Sequence, residues 1–252
     1  MNILACYSFK GGVGKTAAAV NLAYRAAQSG YRTLLIDLDP QGASSFYFRV
    51  RSEAGSKWRT HTLEESDALL TQIRESDYSH LDLIPAQRSL RHLDILLKQT
   101  DSKGTVLRRM LKKISNNYDL ILLDCPPSIS RLAENIFVAA DLILVPVIPT
   151  PLSERTYDQL VRFFKDKEFD RKKLLPFFSM VDARKQLHRD TAVAMRSRYK
   201  RILRQAIPYS TDVERMGVHR APLDLFARGR QANKAYLALW NEIEQHLEAC
   251  AK

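Results

Sequence analysis

The chain has 252 residues, enough for one large domain with a sizeable core, and its 45% hydrophobic content is ordinary for a protein that folds in water. Cys6, Cys125 and Cys250 are too few and too widely spaced for a disulfide framework or a paired-cysteine zinc site, and no uncharged apolar run reaches the length of a membrane span. A net charge of +11 implies attraction to something acidic, nucleic acid or anionic lipid. The first residues run straight into an apolar stretch and leave no room for a signal peptide, so a cytoplasmic location is expected.

Ile3 to Tyr7 reads as a buried strand, and Ala17 to Ala27 consists mainly of good helix formers. Between them lies Ser8-Phe9-Lys10-Gly11-Gly12-Val13-Gly14-Lys15-Thr16. Strand, glycine turn and helix in that order make a phosphate-binding loop: glycines let successive N–H groups converge on one anion, and the new helix adds its positive end. Lys15 then reaches the β and γ phosphates, and Thr16 offers a hydroxyl to a bridging magnesium ion. The usual pattern has glycine where this chain has Phe9, and a second lysine, Lys10, follows at once. Lys10 is either a solvated turn lysine or the owner of its own phosphate contact, and the adjoining G-G-V-G-K-T favours the contact.

These residues resemble the deviant Walker A signature K-G-G-x-G-K-[ST] of the ParA/MinD family of dimeric ATPases. The resemblance implies ATP and Mg2+ as cofactors and a homodimer formed with ATP, in which Lys10 reaches the nucleotide of the partner subunit. It makes Lys10, Lys15 and Asp39 the catalytic candidates. Lys10, Gly11, Gly12, Val13, Gly14, Lys15, Thr16 and Ala17 become the nucleotide-binding candidates of the loop.

Gly30 ends the first helix pattern, and Thr33 to Ile36 is the next strand. It runs into Asp37-Leu38-Asp39-Pro40-Gln41-Gly42, where two acids at alternate positions of an extended segment point the same way, toward the carboxyl edge where parallel sheets bind ligands. The run looks like the family's second signature, which implies that Asp39 orients or activates the attacking water and that Asp37 lies near the magnesium shell. Leu63 to Ile73 suggests a helix, Leu81 to Ala86 a strand, and Ser89 to Leu97 and Val106 to Ile114 two helices with basic outer faces. Arg108, Arg109, Lys112 and Lys113 read best as a solvated face.

Leu120 to Asp124 is an apolar strand ending in an acid, the Walker B pattern, in which Asp124 holds magnesium through a bound water. Cys125-Pro126-Pro127-Ser128 behind it resembles the family's second switch segment. Asp141 to Val147 and Leu174 to Val181 are further strands. The turn Pro149 to Thr156 departs from the tyrosines and leucine-glutamate pair that familiar members carry. Asp182-Ala183-Arg184 resembles the M-x-D-x-R segment and Ile207-Pro208 the I-P segment at the base-binding edge, which makes Met180 and Pro208 nucleotide-binding candidates.

Between Arg162 and Arg204 there are fourteen Lys or Arg against five Asp or Glu. Within that stretch Met195 to Arg204 has apolar residues spaced for one helix face and cations over the other. A solvated face and a phosphate-backbone contact both fit; the regional excess favours the contact, so Arg196, Arg198, Lys200, Arg201 and Arg204 are DNA-binding candidates. Arg228 and Arg230 join them on resemblance alone. A final helix is expected over Ala232 to Ala249, with an acidic outer face that argues against a basic membrane-anchoring tail.

Short apolar runs alternating with helical patterns predict an α/β fold, a mainly parallel twisted sheet covered by helices on both faces. One P-loop domain over residues 1–252 is expected, with no helix-turn-helix before the first strand. The resemblance implies a small stand-alone ParA-like ATPase that dimerises on ATP, binds double-stranded DNA nonspecifically at the nucleoid, and partitions or positions a plasmid, chromosome region or protein cargo. Its hydrolysis, weak alone, would be stimulated by a ParB-like or other adaptor. A MinD-like positioning ATPase acting on membrane is the alternative. An iron-sulfur reductase related to the nitrogenase iron protein would need paired cluster cysteines, for which only Cys125 is remotely placed.

Overall fold

In the computed structural model, which describes residues 1–53, 67–101 and 104–251, the apolar runs lie side by side in one seven-stranded sheet. In chain order the strands are Asn2–Cys6 (β1), Thr33–Asp37 (β2), Arg74–Glu75 (β3), Leu81–Ile84 (β4), Leu120–Asp124 (β5), Leu142–Val147 (β6) and Leu174–Phe178 (β7). They stand in the order β3-β4-β2-β5-β1-β6-β7, and every pairing is parallel except that of β3 with β4. β2, β5, β6 and β7 are buried at every residue, as strands covered on both faces must be.

The helices of the first half are Lys15–Gln28 (α1), Ala43–Tyr47 (α2), Asp67–Leu70 (α3), Leu90–Thr100 (α4) and Val106–Lys113 (α5). Those of the second are Arg131–Ala139 (α6), Pro151–Asp166 (α7), Gln186–Arg198 (α8), Thr211–His219 (α9), Leu223–Phe226 (α10) and Gln231–Ala251 (α11). The period of two along each strand sorts the core into two layers. Ile121 and Leu123 face α4 to α7, whose Leu93, Met110, Ile136 and Phe164 close over them. Leu120 and Leu122 face the opposite way, against Ala18 and Leu22 of α1 and Leu239 and Trp240 of α11. A buried polar tie locks this second layer: Arg25 donates to Asp224 at 2.8 Å and to Asn233 at 2.7 Å, joining α1, α10 and α11.

Three local expectations change. The helix expected over Leu63 to Ile73 falls partly outside the described residues; Asp67–Leu70 is helical, and the chain then pairs antiparallel as β3. The last strand stops at Phe178, because Met180 takes a left-handed φ of 54° and turns the chain. The helix expected across Met195 to Arg204 ends at Arg198. Tyr199 leaves it to pack edge-on against Tyr157 at 4.9 Å and to hydrogen-bond Asp158, and Leu203 N donates to Pro176 O at 2.8 Å, drawing the chain along β7.

Candidate functional site

Gly12 and Gly14 hold φ of +69° and +90°, left-handed values that ordinary side chains resist. Gly14 also backs against Ser179, whose Oγ would lie 2.9 Å from an added Cβ, so the turn admits no larger residue there without movement. α1 starts at Lys15 with no side-chain cap and no acid in its first turn. Its first N–H groups and its dipole are therefore left for an external anion.

Above this helix end opens a cavity of about 370 Å³, the size of a small-ligand site. Gly11, Gly12, Gly14, Lys15, Thr16 and Ala17 form one wall, and Asp39 stands beside them. Met180 and Pro208 also line the cavity, and the two segments are held together because Val181 N donates to Ile207 O at 3.0 Å and Val181 bridges to Pro208. The cavity thus joins the two stretches that the sequence singled out for phosphates and for the base. Asp39 accepts from Gln41 N at 2.9 Å, which fixes its carboxylate on the loop behind β2.

Val13 is buried and lies under the loop rather than in the cavity. Lys10 lies outside the cavity as well. Its Nζ is 3.4 Å from Ser153 Oγ, in a narrow recess shared with Val145 and Tyr157, whereas Lys15 donates to the Lys10 carbonyl at 3.3 Å and stays under its own loop. Burial lowers the pKa of Lys15, and the carboxylate of Asp124 works against that shift.

Asp37 and Asp124 sit at matched positions of β2 and β5, outside the cavity lining, and both are fully buried. Burial pushes both carboxyls above the ordinary range. Each oxygen Oδ2 is held by α2. Ser45 donates through N at 2.8 Å and through Oγ at 2.7 Å to Asp37, and Ser44 Oγ donates to Asp124 at 2.7 Å. Each Oδ1 is buried with no partner among the described residues. Two unsatisfied buried carboxylate oxygens, with the Thr16 hydroxyl near Asp124, fit a hydrated divalent cation. Among the described residues no group of three or more His, Cys, Asp or Glu could hold a metal, so phosphate oxygens and water have to complete such a site.

Sequence reasoning missed Ser44 and Ser45, although two small hydroxyl residues right behind Asp-Pro-Gln-Gly are a signal of a helix start. It also missed Tyr209 and Glu214, which line the cavity and hydrogen-bond each other at 2.8 Å.

The cationic candidates fall into two groups. Arg198 pairs with Asp158 at 3.1 Å and Glu154 at 3.7 Å of α7. Arg196 donates to the Arg204 carbonyl at 3.0 Å and lies 5.0 Å over the Phe178 ring. Arg228 pairs with Asp224 and Arg230 with Asp212, on the sheet face that α1 and α11 cover, opposite the face of α7. Lys200, Arg201 and Arg204 are exposed. Among the described residues no helix is long and apolar enough to cross a membrane.

The model of a family described as an AAA domain matches residues 1–175. The sporulation initiation inhibitor protein Soj of Bacillus subtilis is 28% identical over 96% of this chain and 97% of its own length. The chromosome partitioning protein ParA of Caulobacter vibrioides is 30% identical over 96% of this chain and 94% of its own. Among solved structures, Cyanothece McdA in complex with ATP superposes with a TM-score of 0.83 at 20% identity, covering 97% of this chain and 96% of that one.

Proposed function

The chain belongs to the AAA-domain family and is a P-loop ATPase of the ParA/MinD type, and from that membership we propose that it hydrolyses ATP as a dimer whose nucleotide state governs nonspecific binding to DNA. One domain carries the cycle. The loop N–H groups, the positive end of α1 and Lys15 hold the triphosphate, while Met180 and Pro208 border the base. Asp39, on the rim of the cavity, orients the attacking water. Thr16 and, through water, Asp124 would hold a magnesium ion, with Asp37 close behind, and that ion would supply neutralisation of phosphate charge.

The observation that carries the reading is the division of labour between two lysines five residues apart. Lys15 serves its own cavity. Lys10 lies outside that cavity with its ammonium beside Ser153, where it is available to the nucleotide of a second subunit closing face to face. A dimer that carries two basic surfaces holds one DNA molecule more tightly than a single subunit does, and this gives DNA a preference for the ATP state, because a ligand shifts a conformational equilibrium solely through differential affinity. An adaptor protein that stimulates hydrolysis then releases the DNA, and a plasmid, chromosome region or protein assembly follows the bound population. Binding of a random duplex measured with ATP, with ADP and without nucleotide tests this: tight binding only with ATP is expected, and equal affinity in all three overturns the switch.

A further inference from the structure

An exposed cation distinguishes itself from a merely solvated surface by what it lacks. Around β7 the paired and unpaired cations separate cleanly. Arg196 and Arg198 are engaged within the chain, as are Arg228 and Arg230 on the other face. The side chains of Arg171, Lys172 and Arg201 are exposed and make no hydrogen bond or ion pair among the described residues. These three line one shallow recess of about 360 Å³ together with Phe169 and Asp170.

Backbone geometry explains why they meet. Arg171–Lys173 is a single 3₁₀ turn that leads directly into β7, and Asp170 caps it by accepting from Lys172 N at 2.8 Å. The returning chain runs parallel to β7, with Leu203 N on Pro176 O and Ile207 N on Phe178 O, each at 2.8 Å. Lys200 and Arg201 therefore arrive at the amino end of the strand, where Arg171 and Lys172 already stand. Ser179 and Met180, at the other end, line the nucleotide cavity. Five residues of strand, roughly 17 Å at 3.3 Å each, separate the two sites.

We propose that this recess is the place where the phosphate backbone of duplex DNA docks, with Arg171, Lys172 and Arg201 as its contacts; the proposal rests on the DNA-binding reading above and names its surface. Three cations line the recess against one acid, Asp170, so the local field is positive. The lining aromatic, Phe169, packs against Phe163 and Phe164 and leaves nothing apolar to enter a bilayer, which favours nucleic acid over lipid. Three cations seated against phosphates neutralise the backbone, and contacts of that kind carry no sequence information. Nucleotide and DNA occupy opposite ends of the same strand, so neither obstructs the other.

The test is salt-titrated binding of a random duplex in the presence of a nonhydrolysable ATP analogue. Arg171→Ala, Lys172→Ala and Arg201→Ala together are expected to weaken binding roughly 100-fold or more at 0.1 M salt and to lower the slope of log K against log salt by about 2.5. Arg198→Ala, at a paired cation, is expected to leave the slope alone, and nucleotide affinity serves as the folding control for each variant. An unchanged slope in the triple variant, beside a wild type that binds DNA, overturns the recess and leaves the function standing. A wild type that binds no duplex in any nucleotide state overturns both. Sedimentation with anionic vesicles that the triple substitution abolishes, without any effect on duplex binding, assigns the recess to lipid and overturns the proposal.

Discussion

The carboxyl and amino ends of the sheet treat charge in opposite ways. At the carboxyl end Lys15, Asp37 and Asp124 are buried, few, and fixed by named partners. At the amino end of β7 the cations are exposed, numerous, and free or paired according to which acid passes nearby. Burying an ionised group costs several kcal/mol, so a sequence keeps one inside only with compensating partners or a ligand that supplies them. An exposed arginine costs almost nothing and says little by itself. One end can thus be read residue by residue, whereas the other requires the pairing pattern of the folded chain.

Substitutions sharpen this contrast in order of size. Lys15→Ala is expected to weaken ATP binding by at least about 100-fold, since the loop loses its charge-assisted contact with the phosphates; calorimetric titration showing near-native affinity would break the assignment. Asp39→Ala is expected to bind ATP within a few-fold of the parent while turnover falls by roughly 100-fold or more, the contribution typical of a positioned base. Phosphate release at the parental rate would move that role elsewhere. Ser45→Ala removes both the hydroxyl donor to Asp37 and the acceptor that Ala86 N reaches at 2.8 Å, leaving buried groups unpaired. A loss of about 2–3 kcal/mol follows, read as a lower midpoint in thermal or urea unfolding. Arg198→Ala is the smallest change: its side chain is 54% exposed, and breaking its pairs with Asp158 and Glu154 should cost under about 1 kcal/mol. A larger destabilisation there would erase the distinction between the two ends.

The same contrast explains what was legible in the sequence. The parallel sheet and the loop from Gly11 to Ala17 were written in local terms, as a strand, a glycine turn and a helix of fixed spacing, and every residue of that loop except Val13 lines the cavity. Met180 and Pro208 were named through resemblance alone, and both line the cavity. The grip of Ser44 and Ser45 on the buried acids was not, because it depends on α2 folding back over two strands that are distant in sequence. Periodicity also carried the helix of Met195 to Arg204 six residues too far. Tyr199 and Leu203 follow contacts with α7 and β7, and tertiary packing overrode the local pattern.

Both borders of the sheet are closed to newcomers. On one side β3 offers two residues and runs antiparallel to its neighbour; on the other, the chain from Leu203 to Tyr209 lies along β7 and takes up main-chain groups at Pro176, Phe178 and Val181. Among the described residues a further strand finds no long row of open amides on which to register, which disfavours growth by strand addition. In the proposed dimer the subunits meet at the carboxyl ends of the strands, and closure of one such pair leaves no open surface along which association would propagate.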